Sequence, residues 1–415
     1  MTLNINELAK LYESEEYKKL LDLLAGQLKD ANLLSLRGIT KKALGQIESA
    51  INDLELSVKV RPNDTDLLTN LGNAYREGGK LSKSEEAYVK ALEANPDNSN
   101  AHDALGLLLF DTGDSVRAAT HFKRCIDLDP KNKKAWFQLG EAYRKIDSLR
   151  EAMNCYAQTD YHLSKANLLD CFYRLGDADS PEAFKAKLEE SDLSLHRNAL
   201  SGSIVTHAER YFQQQINNPF CDDPISLVAT GIVKESELSK SDLDSLVEYI
   251  DSEQSEYRKQ ALLVNGKQSS GNIFSLNHKP IIKLKSVIYD YIDKYRAKMI
   301  PESPFRAHWP EKAYLYGWVV DMKTNGHLNP HIHKEGWVSG CLYLDMPEKK
   351  GRSEGAICFC VDNKSYPNLH EADKIKTVPT QTKMICMFPS SLHHYTNQFT
   401  GSGRRLSLAF DLIPK

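Results

Sequence analysis

Residues 67–100 read LLTNLGNAYREGGKLSKSEEAYVKALEANPDNSN, and residues 101–134 read AHDALGLLLFDTGDSVRAATHFKRCIDLDPKNKK. Laid one over the other, the two stretches share a period of 34 residues that extends beyond both. Pro62, Pro96 and Pro130 fall on it, as do Leu71, Leu105 and Leu139, and Gly72, Gly106 and Gly140. Ser84, Ala118 and Ala152 recur at the same interval, and so do the aromatics Tyr88, Phe122 and Tyr156. One interval earlier, Gly38, Ala50 and Leu54 mark a weaker copy. The pattern predicts a helical hairpin in each unit. Small residues let two antiparallel helices approach closely, the aromatic fills the gap, and proline ends one unit while starting the next. A single hairpin cannot bury its apolar face, so the units stack into a solenoid with a concave groove.

This arrangement resembles the tetratricopeptide repeat over residues 28–162. Residues 3–27 and 165–195 also read as helices, as degenerate or capping units, which extends the array to 1–195. The resemblance implies a peptide or protein partner in the groove, with Asn73, Asn100 and Lys134 as candidate polar lining. The alternative is a rigid extension that only supports a neighbouring domain or a dimer contact.

At 415 residues, with 41% apolar and 26% charged content, the chain is too long for one core and too apolar for wholesale disorder. No apolar run approaches the roughly 18 to 20 residues needed to cross a bilayer. The N-terminal stretch MTLNINELAKLYESEEYKKLL lacks the apolar centre of a secretory signal. A net charge of −3 gives no general reason to bind nucleic acid. Eight scattered cysteines are not a disulfide framework. These features lead to the expectation of a soluble cytoplasmic protein with neither nucleic acid nor membrane as partner.

Residues 196–218 continue as a helical bridge, and NPFCDDPI, with Pro219 and Pro224, reads as a boundary. Helices follow at 236–253 and 279–299, separated by a polar loop at 265–274. From Tyr314 the helical period gives way to strands at 313–323, 337–345, 355–361, 383–388 and 404–413. Strands that succeed one another without intervening helices predict an antiparallel double sheet. A jelly roll (double-stranded β-helix) with flanking helices fits residues 219–415. The fold class is thus multidomain α + β.

Five of the 13 histidines gather in two short segments, HLNPHIH (His327, His331, His333) and FPSSLHHY (His393, His394). An H-x-H on extended chain places both imidazoles on one side, and a histidine about 60 residues later could complete a facial metal site. Arg404-Arg405-Leu406-Ser407 then opens the last strand. This order resembles the iron(II)- and 2-oxoglutarate-dependent oxygenases, most closely a branch with H-x-H, Ser-Gly before an aromatic strand, Phe-Pro-Ser followed by a histidine, and Arg-x-Ser. It covers 314–413 well and 219–313 loosely.

The resemblance implies Fe(II) held by His331, His333 and His394, with the His333-Lys-Glu335 stretch making Glu335 an alternative ligand. Most of the superfamily supplies a carboxylate beside the first histidine, where this chain has His333. Arg405 and Ser407 would hold the far carboxylate of the cosubstrate, with Tyr343 donating to it. His327 and His393 read as neighbours rather than ligands. The activity implied is hydroxylation, or another oxidation, of a substrate recruited by the repeats. The alternatives are a non-catalytic scaffold with an inactive jelly roll, or a cupin-type enzyme using another metal.

Other signals are local. Cys358 and Cys360 read as packed residues of a strand, because no second pair stands at zinc spacing. Trp309, Trp318 and Trp337 read as barrel packing, with Trp337 a candidate for substrate contact. Gln268 and Asn272 are candidates for the pocket mouth or for a turn.

Overall fold

The computed structural model describes residues 5–26, 29–252, 257–258, 261–348, 351–369 and 375–415. Packing divides the chain into two compact units, Met1–Ser164 and Lys165–Lys415.

The first unit is a run of antiparallel helix pairs. Ala31–Ala43, Thr65–Glu77, Ser99–Thr112 and Lys133–Lys145 are the leading helices of four successive hairpins. Ile47–Val60, Leu81–Ala94, Ser115–Leu128 and Leu149–Ala157 are their partners. The 34-residue period also sets where each leading helix starts. Asp30, Asp64, Asn98 and Asn132 occupy the N-cap positions, and each side chain accepts hydrogen bonds from backbone N–H groups of the first turn.

The glycines of the period sit against the aromatics. A Cβ built on Gly72 would lie 2.4 Å from the Tyr88 ring, and one on Gly106 or Gly140 would lie 2.6 Å from Phe122 or Tyr156. Ser84 donates to the Gly72 carbonyl at 2.8 Å, which ties the two helices of one hairpin. Two of the residues expected to line the groove are used inside the array. Asn73 accepts from the Tyr88 hydroxyl at 2.7 Å, and Lys134 pairs with Asp103 at 2.9 Å. Asn100 is exposed.

The helices expected at 165–195 and the bridge at 196–218 belong to the second unit rather than to the repeats. Tyr366 donates to Asp170 at 2.9 Å, and the His207 ring packs edge-on against Tyr366. Ser203 on helix Ala199–Phe212 bonds His393 at 3.2 Å, and Gly202 makes room for Phe220. These contacts join residues far apart in sequence, so the boundary sits at 164/165 and not at the proline-marked segment near 219.

Among the described residues of the second unit there are ten strands: β1 (Ala229–Ile232), β2 (Tyr257–Arg258), β3 (Leu263–Ser269), β4 (Ala313–Leu328), β5 (Val338–Asp345), β6 (Ile357–Cys360), β7 (Lys376–Val378), β8 (Met384–Pro389), β9 (His393–Thr396) and β10 (Arg405–Pro414). A seven-stranded antiparallel sheet runs β1-β8-β5-β10-β4-β3-β2, and a smaller sheet runs β7-β6-β9. Together they form the jelly roll. The stretch expected to be a polar loop at 265–274 is in large part β3. It pairs with β4 near the sheet edge, where solvent meets most of its side chains, and so it lacks the apolar alternation of an inner strand.

β10 lies between β4 and β5 and organises both faces. Leu406, Leu408, Phe410 and Leu412 point to a core shared with helices Lys240–Ser252 and Lys279–Ala297 through Leu246, Ile281, Leu284, Ile288 and Ile292. Between the two sheets, Tyr343, Cys386 and Phe388 pack on Ile357 and Phe359.

Gly106→Ala tests the helix contact. Replacing a helical glycine by alanine should stabilise by about 1 kcal/mol on propensity. The clash with Phe122 costs about 1–3 kcal/mol, so net destabilisation is expected, and pairing it with Phe122→Leu should recover part of the loss. Urea midpoints of the helical transition measure both.

His196 gives a pH test. It is 2% exposed, its ring nitrogens lie 3.0 Å from Ser191 Oγ and Ser201 Oγ, and burial lowers its pKa from 6.5 to about 4. The unfolded chain therefore binds this proton more readily. The His196 contribution is complete above about pH 6.5 and is lost as pH falls towards 4. A His196→Asn variant should lose less stability between pH 7 and pH 5 than the parent, as read from urea midpoints.

Candidate metal centre

The inner face of the large sheet is set by strand alternation. Residues Arg405, Ser407, Ala409, Asp411 and Ile413 of β10 line one cavity, opposite Met322, Val320, Trp318, Tyr316 and Tyr314 of β4. The cavity measures about 460 Å³ and also meets Gln268 from β3 and His394 from β9. It contains the centre of the site.

His331, His333 and His394 converge there, each offering one ring nitrogen, with all three within 4.8 Å of one another. Two of them are joined through the backbone: His331 and His394 exchange both N–H to carbonyl bonds, at 3.1 and 3.0 Å, as a bridge to the smaller sheet. The ring contacts behind the cluster orient each imidazole. Nδ1 of His331 donates to the Asn329 carbonyl at 2.8 Å, and Nδ1 of His394 donates to the Leu392 carbonyl at 3.1 Å. Nδ1 of His333 donates to Oδ1 of Asp411 at 2.6 Å. A carbonyl or carboxylate oxygen only accepts, so each ring carries its proton on Nδ1 and keeps the Nε2 lone pair available. Burial lowers the pKa of His331 to about 4 and holds that of His394 well below the usual range, which keeps both neutral at pH 7. Neutral imidazoles that turn lone pairs to a common point are a donor set suited to a divalent transition metal.

Arg405 is the second element of the site. It is 2% exposed, with Nε on the Gly355 carbonyl at 3.2 Å and Nη1 3.4 Å from Ser407 Oγ. Its guanidinium lies 5.0 Å from the centre of the Tyr343 ring. Among the described residues no carboxylate reaches it. A buried guanidinium without a counter-ion is costly, and the cavity beside it therefore has room for an anion. The Tyr343 hydroxyl is buried and, among the described residues, Arg405 is its near polar neighbour without a hydrogen bond of normal geometry; Tyr343 itself is not among the residues lining the cavity.

The remaining expected residues separate clearly. Glu335 lines the cavity but stands outside the converging group, so the structure brings together the three histidines and not the His-x-Glu alternative. His393, one residue from His394 on the same strand, bonds Ser203 instead, and His327 accepts from Gln398 at 3.1 Å. Trp337, a candidate for substrate contact, packs between Phe220 and Phe305 in the helix-backed core, while Trp318 lines the cavity. Trp309 packs against Phe305. Gln268 lines the cavity, but Asn272 is structural, binding the Leu315 carbonyl and the Gly317 N–H. Cys358 and Cys360 are buried on β6 and form no disulfide among the described residues; Sγ of Cys358 lies 3.5 Å from Thr377 Oγ1 and Sγ of Cys360 meets the Asp362 carbonyl.

Sequence reasoning missed Asp411, which accepts from His333 and Ser339. Ser339 donates to Asp411 at 2.7 Å and lies 2.7 Å from Ser390. The signal was available in the period-two spacing Arg405, Ser407, Ala409, Asp411, which puts a carboxylate on the same face as the arginine.

Comparison with known proteins finds two kinds of match along the chain. Residues 316–411 match the family model described as "Putative 2OG-Fe(II) oxygenase", and residues 72–113, 99–132 and 121–156 match tetratricopeptide-repeat models. The tetratricopeptide repeat-containing protein trd-1 of Caenorhabditis elegans is 29% identical over 150 residues, which cover 35% of this chain and 18% of that protein. The TPR repeat-containing protein PA0015 of Pseudomonas aeruginosa is 36% identical over 73 residues, 18% of this chain and 70% of that one. The chain spans only 18% and 8% of the lengths of trd-1 and of the general transcriptional corepressor trfA of Dictyostelium discoideum. Among solved structures, MamA aligns over 38% of this chain and 94% of its own, at 20% identity and TM-score 0.33. The chain belongs to the tetratricopeptide-repeat proteins and carries, after its repeats, a domain matching the 2OG-Fe(II) oxygenase family model.

Proposed function

We propose that this protein is an Fe(II)- and 2-oxoglutarate-dependent dioxygenase that hydroxylates a peptide, protein or other substrate recruited by its repeats. The observation that carries the reading is the pairing, in one cavity, of three convergent imidazoles with a buried guanidinium that no carboxylate of the described residues reaches. In this reading His331, His333 and His394 hold the metal through Nε2. Arg405 pairs with the far carboxylate of 2-oxoglutarate, and Ser407 donates beside it. Trp318, Tyr316 and Val320 wall the cavity against water and orient the substrate. When bound, the iron and 2-oxoglutarate would supply the oxidising chemistry with dioxygen as oxidant, one oxygen atom entering succinate as carbon dioxide is released and the other entering a substrate C–H bond to give the alcohol. Docking of the substrate, or of a protein that presents it, is the role assigned to the repeats.

Succinate formation from 2-oxoglutarate by the full chain with Fe(II), with candidate substrates screened for stimulation, tests the reading. Fe(II)-dependent succinate is expected, and a chain that binds neither iron nor 2-oxoglutarate would overturn it. His394→Ala should lose stoichiometric iron, measured by metal analysis after desalting; full iron content in that variant sinks the ligand set. Arg405→Gln should keep iron and weaken 2-oxoglutarate at least about 30-fold, the loss typical of removing one partner from a buried charge pair. An unchanged titration with 2-oxoglutarate would remove Arg405 from its role.

A further inference from the structure

A set of three imidazoles brings no negative charge to a metal, whereas the common set of two histidines and a carboxylate brings one. Behind His333, the structure places a carboxylate in the second layer. Asp411 Oδ1 accepts from His333 Nδ1 at 2.6 Å and from Ser339 Oγ at 2.7 Å, and Asp411 is 7% exposed. His331 and His394, by contrast, donate to neutral backbone carbonyls. Among the described residues, His333 is the one ring of the three whose hydrogen-bond partner is a carboxylate.

The surroundings are shaped for this contact. Asp411 and Ser339 stand directly opposite in the β10–β5 register, so the serine hydroxyl meets the carboxylate across the strands. Ser339 Oγ is also 2.7 Å from Ser390 Oγ, at the end of the Phe388-Pro389-Ser390 segment. Gly336 closes the turn that carries His333, its N–H bonding the His333 carbonyl at 3.1 Å. A Cβ there would lie 2.5 Å from Ser390 Oγ and 3.3 Å from Asp411 Cγ, so glycine is what lets the turn settle against the pair. The carboxylate engages Nδ1, which leaves Nε2 as the nitrogen open to a metal, and Asp411 is not part of the converging group.

We propose that Asp411 is the positioning residue of the metal centre: it fixes His333 with Nε2 towards the metal and restores, through the imidazole, the negative charge that a carboxylate ligand would carry. This rests on the metal-binding reading above. The carboxylate makes His333 the most electron-rich of the three ligands, and it locks the tautomer that a neutral amide would leave free to reverse.

The test is metal affinity, read on the full chain by titration with Co(II) and its visible absorption, with no turnover required. Asp411→Asn should weaken Co(II) binding 10- to 100-fold, the range for loss of such partners. His333→Glu puts the carboxylate directly in the ligand position. In that background Asp411→Asn should leave affinity unchanged or raise it, a reversal that a purely structural role would not produce. Failure of the wild-type chain to bind Co(II) or Fe(II) overturns the metal reading itself. Wild-type binding with equal affinity in Asp411→Asn overturns the role of Asp411 alone, as does the same loss in both backgrounds. Should the variants fail to fold, histidine ¹⁵N NMR of the wild-type chain decides: the proton of His333 is expected on Nδ1, and an Nε2-protonated ring overturns the proposal.

Discussion

The second unit depends on one constraint, the antiparallel clasp of β10 between β4 and β5. A strand held on both sides cannot rotate, so its alternation assigns every side chain to one of two environments. Leu406, Leu408, Phe410 and Leu412 go to the helix-backed core, and Arg405, Ser407 and Asp411 go to the cavity. A one-residue slip would bury the arginine among leucines and turn phenylalanine into the cavity. The apolar face thus enforces the register that the polar face needs, and the site is stabilised by residues that never touch it.

The chemistry of the site lies in incomplete satisfaction. Each imidazole spends Nδ1 on a fixed acceptor and keeps Nε2 open, while Arg405 is buried beside the cavity with no carboxylate of the described residues in reach. Buried polar groups in a settled core find partners, so such a concentration of open valences marks a place built to receive ligands. The backbone pair between His331 and His394 gives this arrangement rigidity, since it links the loop after β4 to the smaller sheet at the centre itself.

The repeats show the opposite relation between sequence and structure. Their contacts are local, so the 34-residue period reveals them directly: glycine against aromatic within one hairpin, and an Asp or Asn cap at the start of each leading helix. In the second unit, legibility tracked how far a signal stood from neutral background. The H-x-H, the Arg-x-Ser and the inner strands were visible because histidine pairs and alternating apolar runs are distinctive. β3 was not, because a strand near the sheet edge with mostly solvent-facing side chains has the composition of a loop, and β9 was too short to show a period.

By itself the sequence determined a solenoid followed by a double sheet, and the residues from which a metal centre could be assembled. Periodicity and strand alternation are properties of consecutive residues and need no tertiary information. The tertiary structure decided the rest. It chose His333 over Glu335 for the converging group, because only the histidine side chain reaches the common point. It moved Trp337 into the core and Trp318 into the cavity, and drew helices 165–212 into the second unit through contacts such as Tyr366 to Asp170. It also set Asp411 behind His333 at 2.6 Å, across 78 positions of chain. Such pairings depend on which strands become neighbours, and the β10–β5 register that supplies them exists only once the sheet has formed.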